Sequence, residues 1–123
     1  MSITKIVSNI LNQSIGIAGC GEMGYPMLKM LLENDINATG HDIKASKNFK
    51  DFGEKYIPSK SNFFEKNDVI LSIVRDTIET ENLLMNNNEL LSKKNATILI
   101  CSTLPTTYIS ELKKKITAKF YRN

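Results

Sequence analysis

The chain has 123 residues, 41% of them hydrophobic and 24% charged, enough for one domain with a modest core. Its formal net charge of +3 comes from lysines that are scattered apart from Lys113-Lys114-Lys115, with no aromatic-interleaved basic stripe, so no nucleic-acid partner is expected. No apolar run approaches membrane-spanning length and no signal peptide opens the chain, so no membrane partner is expected and the expected location is cytoplasmic.

Residues Met1–Gln13 place Ile3, Ile6, Val7, Ile10 and Leu11 at helical spacing, an amphipathic extension before the domain proper at 14–123. That extension is expected to be a short helix packed on the domain or a docking segment for a partner; a mitochondrial targeting peptide should be rich in Arg, and the segment has only Lys5. Ser14–Ala18 reads as a short buried strand. A helix from about Glu22 to Asn34 follows, with Pro26 near its start, where a missing N–H and a fixed φ are best tolerated. Asn37–His41 is the next strand. Ala45–Phe52 reads as helical, Tyr56-Ile57 as a short strand, and Ser61–Lys66 as one or two helical turns with Ser61 as N-cap. The run Val69-Ile70-Leu71-Ser72-Ile73-Val74 is nearly continuous in apolar residues, as in a central parallel strand covered on both faces. Thr77 is expected to cap a helix over Ile78–Met85, which the Asn86-Asn87-Asn88 cluster ends. Thr97–Cys101 is expected as a further buried strand. Pro105 or Thr106 opens a last helix with Tyr108, Ile109, Leu112 and Ile116 on one face, and Lys119-Phe120-Tyr121 could begin a sixth strand. Strands alternating with helices imply right-handed βαβ units, hence a single α/β domain of Rossmann type: a doubly wound parallel sheet in three layers.

The stretch that organises the chain is Gly19-Cys20-Gly21-Glu22-Met23-Gly24. It has the G-x-G-x-x-G spacing of a dinucleotide-binding turn, after a strand and before a helix. Gly19 takes the tight turn, Gly21 leaves room for a pyrophosphate, and Gly24 lets the helix lie close to the sheet. The helix start then aims unpaired N–H groups and its positive dipole end at the phosphates. Asp42, about 20 residues on, stands where a carboxylate accepts from an adenosine ribose hydroxyl. That acid favours NAD over NADP, since it repels a 2′-phosphate. Lys44 and Lys47 close behind soften the repulsion, so both coenzymes stay open.

His41, the sole histidine, has no acids or cysteines at ligand spacing and reads as structural, and no metal site is expected. Cys20 and Cys101 would end strands two places apart, roughly 9–10 Å at normal interstrand spacing. A disulfide needs Cα atoms within about 7 Å, so they are expected to be separate thiols.

Taken whole, Gly19-x-Gly21-Glu22-Met23-Gly24-Tyr25-Pro26-Met27 resembles the G-x-G-x-M-G-x-P-M signature of the β-hydroxyacid dehydrogenases, which include the 3-hydroxyisobutyrate and 6-phosphogluconate dehydrogenases. Cys101-Ser102-Thr103-Leu104-Pro105 is similar to that family's Ser-Thr substrate loop. The resemblance spans about Ser14 to Tyr121, the family's N-terminal coenzyme domain. It implies that the three glycines, with the backbone of Glu22 and Met23, hold the pyrophosphate. It implies too that Val74 and Arg75 line the riboses, that Thr103 lies near the nicotinamide ribose, and that Ser102 contacts the substrate carboxylate. Arg75 departs from a proline frequent at that point, and Ile100 from an acid. The family moves hydride between a 3-hydroxy acid and nicotinamide with a lysine as general acid/base, in a glycine-rich motif of a helical domain. No lysine here follows that motif, so no catalytic residue is assigned. The expectation is a coenzyme domain that is inactive alone and meets a small 3-hydroxy acid only if a helical domain is supplied. A stand-alone dinucleotide module with a partner subunit and a truncated gene remnant remain the alternatives. Apolar surface that a helical domain would cover predicts that the isolated chain tends to dimerise, as a homo-oligomer, or to aggregate.

Overall fold

The computed structural model describes residues 13–19, 23–42, 47–84 and 97–120, with the side chains of 47–50 and 116–120 excepted. The helical stripe of Met1–Gln13 therefore falls almost wholly outside the described residues. The elements in order are β1 (Ile15–Ala18), α1 (Gly24–Glu33), β2 (Ala38–His41), a 3-10 segment (Lys47–Lys55), α2 (Lys60–Lys66), β3 (Val69–Ser72), α3 (Thr77–Leu84), β4 (Thr97–Ile100) and α4 (Thr106–Phe120).

The strands form a parallel sheet in the order β2-β1-β3-β4. Alternation along each strand divides the core. Ile15 and Ile17 of β1, with Ala38 and Val69, pack under Leu28 of α1 on one face. Ala18, Ile70 and Val74 pack on the other face with Phe63 and Phe64 of α2, Leu83 and Leu84 of α3 and Leu112 of α4. The result is three layers, a Rossmann-type α/β domain, as the alternating pattern implies.

Gly16, the middle of β1, faces this second layer with no room to spare. A Cβ there would lie 2.6 Å from Phe63 Cζ and 2.8 Å from Asn67 Nδ2. α2 thus sits against the bare backbone of the central strand. Asn67, completely buried, donates to Thr39 Oγ1 (2.8 Å) and to the Phe63 carbonyl (2.8 Å), joining the end of α2 to β2.

Several local expectations are corrected. Tyr56-Ile57 does not make a strand; one bridge joins Gly40 to Tyr56, and Ile57 donates to the Gly40 carbonyl at 2.8 Å. Pro58 follows directly, lacks a ladder donor and ends the pairing. The N-cap of α2 is Ser59, whose hydroxyl accepts from the Asn62 N–H, and not Ser61. At α3 the cap is Asp76, whose Oδ1 accepts from the Glu79 N–H at 2.9 Å, and not Thr77; a carboxylate three residues before that N–H outcompetes the later hydroxyl. β4 is not a buried strand. It lies at the edge of the described sheet, where Ile98 and Ile100 face the core while Thr97 and Leu99 are exposed, Leu99 by 48%. The expected sixth strand is also absent at its start, because α4 continues through Lys119 and Phe120. No glycine or proline interrupts Thr106–Phe120, so two strand-prone positions do not end the helix.

α3 and α4 are tied by Tyr108, which donates to Glu81 Oε2 at 2.7 Å, and by Lys115, 3.1 Å from Glu81 Oε1. The phenol bond, with the lysine, holds the Glu81 carboxyl below its ordinary range, and burial beside that carboxylate pushes the Tyr108 hydroxyl well up. Tyr108→Phe is expected to destabilise the domain by about 1 kcal/mol in urea unfolding, the ordinary worth of such a bond.

Candidate functional site

In a parallel sheet all strands end on the same edge. Here Ala18 of β1 is in register with His41 of β2 and Ser72 of β3, which is itself in register with Ile100 of β4. Four loops therefore leave side by side: Gly19 after β1, Asp42 after β2, Ile73 to Arg75 after β3, and Cys101 to Thr103 after β4. The chain runs from β1 to β2 in one direction and then crosses back to β3. The reversal opens a crevice between β1 and β3, the place where open α/β sheets bind ligands.

Gly19 forms the floor of that crevice. Its φ is +85°, which L side chains rarely adopt, and its N–H donates to the His41 carbonyl at 2.9 Å. A Cβ on Gly19 would lie 2.7 Å from Val74 Cγ1 and 2.9 Å from Val74 N. The exits of β1 and β3 are thus in contact. Met23 is the N-cap of α1 and makes no side-chain cap bond, and no acid lies in the first helical turn. Pro26 in that turn has no N–H at all. Gly24, the first residue of α1, is buried, which brings this helix start close to the sheet. A helix start whose N-cap side chain makes no cap bond, beside a turn that excludes a Cβ, suits a bound phosphate. Gly21 and Glu22, with Cys20, lie outside the described residues.

Asp42 follows β2 on the far side of β1 from Val74, half-buried. Beside it His41 is buried, with Nδ1 2.8 Å from the Ile57 carbonyl. A carbonyl only accepts, so Nδ1 carries the proton, and Nε2, buried without a hydrogen-bond partner in the described residues, is the bare nitrogen. Burial lowers the His41 pKa, opposed in part by the Ile57 bond and the Asp42 charge. His41 is a structural residue on this geometry. Because its folded-state pKa lies below the unfolded value of 6.5, its neutral form contributes stability above pH 6.5, and that stability is lost as pH falls from 6.5 toward the lowered value. The urea midpoint is expected to fall between pH 7.5 and 5.5, and His41→Phe to flatten that fall.

On the β3 side, Val74 is buried and Arg75 exposed. The Arg75 N–H donates to Glu79 Oε2 at 2.7 Å, and its guanidinium pairs with Glu79 Oε1 at 3.1 Å. The glycine and strand-end signals in the sequence do not point to Glu79, although Asp76-x-x-Glu79 is a capping pattern that does. After β4, Thr103 is exposed, whereas Ser102 is half-buried and donates its hydroxyl to the Val74 carbonyl. Cys101 is an exposed free thiol. Among the described residues no His, Cys, Asp and Glu cluster could hold a metal ion, and no helix is long and apolar enough to cross a membrane.

The profile of the family described as the NAD binding domain of 6-phosphogluconate dehydrogenase matches residues 14–122, nearly the whole chain. The chain belongs to this family. It is an NAD(P)-binding Rossmann domain of the 3-hydroxyisobutyrate and 6-phosphogluconate dehydrogenase group. Human 3-hydroxyisobutyrate dehydrogenase, mitochondrial, is 29% identical over 106 residues, which cover 83% of this chain and 32% of that protein. The chain thus spans about a third of the length of that relative. Among solved structures, a variant imine reductase from Myxococcus stipitatus in complex with NAD+ superposes with a TM-score of 0.76 at 15% identity, over 88% of this chain and 38% of that one. An imine reductase of the same organism in complex with NADP+ superposes at 0.75 and 14% identity, over 86% and 37%. At these identities the NAD(P)-binding family shares its fold with both, and the fold does not choose between the two coenzymes.

Proposed function

We propose that this chain is the coenzyme-binding part of an NAD-dependent oxidoreductase acting on a small 3-hydroxy acid. The observation that carries the reading is the junction of Gly19, the start of α1 at Met23 and Asp42 on adjoining strand ends at the sheet's switch point. In this reading Gly19, Gly21 and Gly24, with the backbone of Glu22 and Met23, take the pyrophosphate. Asp42 accepts from the adenosine ribose and disfavours a 2′-phosphate. Val74 and Arg75 wall the riboses from the β3 side, and Thr103 stands toward the nicotinamide ribose. When bound, the coenzyme supplies the hydride acceptor. The residues of this chain bind and orient it, and no proton-transferring group is assigned among them. A helical domain carrying the lysine, as in the family, completes catalysis.

Titration with NADH and NADPH tests the reading. NADH is expected to bind more tightly than NADPH. Asp42→Ala is expected to weaken NADH about tenfold, the scale of a lost charge-assisted hydrogen bond, and to leave NADPH unchanged or improved. Tighter NADPH than NADH in the unmodified chain would sink the Asp42 assignment. No binding of either by folded protein would overturn the coenzyme reading.

A further inference from the structure

Ser102 and Thr103 are adjacent on the loop after β4, yet they are used differently. Thr103 is exposed at the strand-end edge, while the half-buried Ser102 spends its only proton on the Val74 carbonyl. Val74 is the residue against which Gly19 turns, and its own N and Cγ1 fill the space that a Gly19 Cβ would need. One residue on, Glu79 Oε2 holds the Arg75 N–H from the first turn of α3, and Asp76 Oδ1 holds the Glu79 N–H in turn. The backbone at 73–75 is therefore gripped from two sides, by α3 through Glu79 and by the β4 exit through Ser102.

We propose that Ser102 is a positioning residue: its hydroxyl ties the loop after β4 to the loop after β3 and keeps Val74 seated against the Gly19 turn, in place of contacting a substrate carboxylate. A carboxylate only accepts, so a group that binds it must bring a donor. The Ser102 proton is already given to a carbonyl, which has none to return. Breaking that bond to reach a substrate would leave the Val74 carbonyl short of a partner and release the wall of the coenzyme crevice. The exposed Thr103 hydroxyl is the donor of the pair that stands at the open edge.

The coenzyme part of the test rests on the reading above; the exchange part does not. Unmodified chain, Ser102→Ala and Ser102→Thr are compared by NADH titration and by amide hydrogen exchange at Val74 and Arg75. In Ser102→Ala the two amides are expected to exchange about fivefold faster or more, and the NADH dissociation constant to rise about fivefold, the usual scale of one lost hydrogen bond. Ser102→Thr, which keeps the hydroxyl, is expected to stay within about twofold of the unmodified chain on both. Unchanged exchange and affinity in Ser102→Ala overturn the proposal, as does a threonine variant as damaged as the alanine one. If the unmodified chain binds no NADH, the coenzyme reading fails and the exchange rates alone decide Ser102. If Ser102→Ala does not fold, Ser102→Cys, a weak donor of similar shape, replaces it. Faster exchange then supports the tie, and exchange equal to the unmodified chain overturns it.

Discussion

Gly19→Ala is expected to destabilise the domain by about 2–6 kcal/mol and to abolish measurable coenzyme binding. Two costs add at this position. The φ of +85° is strained for any L side chain, at about 1–3 kcal/mol. The new methyl would also lie 2.9 Å from Val74 N and 3.1 Å from the Ile73 carbonyl carbon. Those are backbone atoms of the neighbouring strand exit and cannot rotate away, so overpacking adds about 1–3 kcal/mol. Relief requires the exits of β1 and β3 to part, which deforms the crevice itself. Against a typical total of about 5–15 kcal/mol this is a large share, and in a domain of this size it lowers Tm by about 8 °C or more. Urea unfolding and NADH titration of the same sample check it. A loss below about 1 kcal/mol with unchanged NADH affinity would show that Gly19 and Val74 do not meet as described.

Asn67→Ala is expected to cost about 3–4 kcal/mol, through a buried amide that joins β2 to α2. Its amide joins three things in a dry place: Thr39 Oγ1 on β2, the Phe63 carbonyl on α2, and the bare face of Gly16 on β1. Alanine would orphan the buried Thr39 hydroxyl, at about 1–3 kcal/mol, and leave a cavity whose lining loses its contacts. The Thr39→Val, Asn67→Ala double variant removes the orphaned hydroxyl with its partner. It is expected to be more stable than the sum of the single losses by about 1 kcal/mol or more. Simple additivity in that cycle would mean that the two groups are not coupled. Because Thr39 lies one pleat repeat before His41, at the end of β2 and next to Asp42, the Asn67 variant is also expected to loosen the β2 exit and weaken NADH in parallel with stability.

Much of this fold is legible before any coordinates. Ile15 and Ile17, Val69 to Val74, and the Leu28 face of the first helix report their elements by periodicity alone. The glycine spacing from Gly19 to Gly24, following a strand and opening a helix, names a dinucleotide turn and a family, and the family match over residues 14–122 agrees. Sequence and structure part where a local signal has near-equal rivals. Ser59 and Ser61 both precede α2 and Asp76 and Thr77 both begin α3; only the donors actually aimed at them tell which side chain caps. The apolar run at Thr97–Ile100 looks like a buried strand, yet burial depends on how many neighbours and layers cover it.

From its sequence alone this chain is determined to be a parallel α/β domain with a phosphate-suited turn and an acid at the next strand end, because both are written in residues close together in the chain. The tertiary structure alone decided that Ser102 faces Val74 and that Asn67 serves Thr39. Each of those pairs spans 28 residues of sequence. No periodicity reaches that far. The partners meet because the crossover from β2 places β3 beside β1, and the sheet's register then brings the loop ends and the face of α2 within hydrogen-bonding distance.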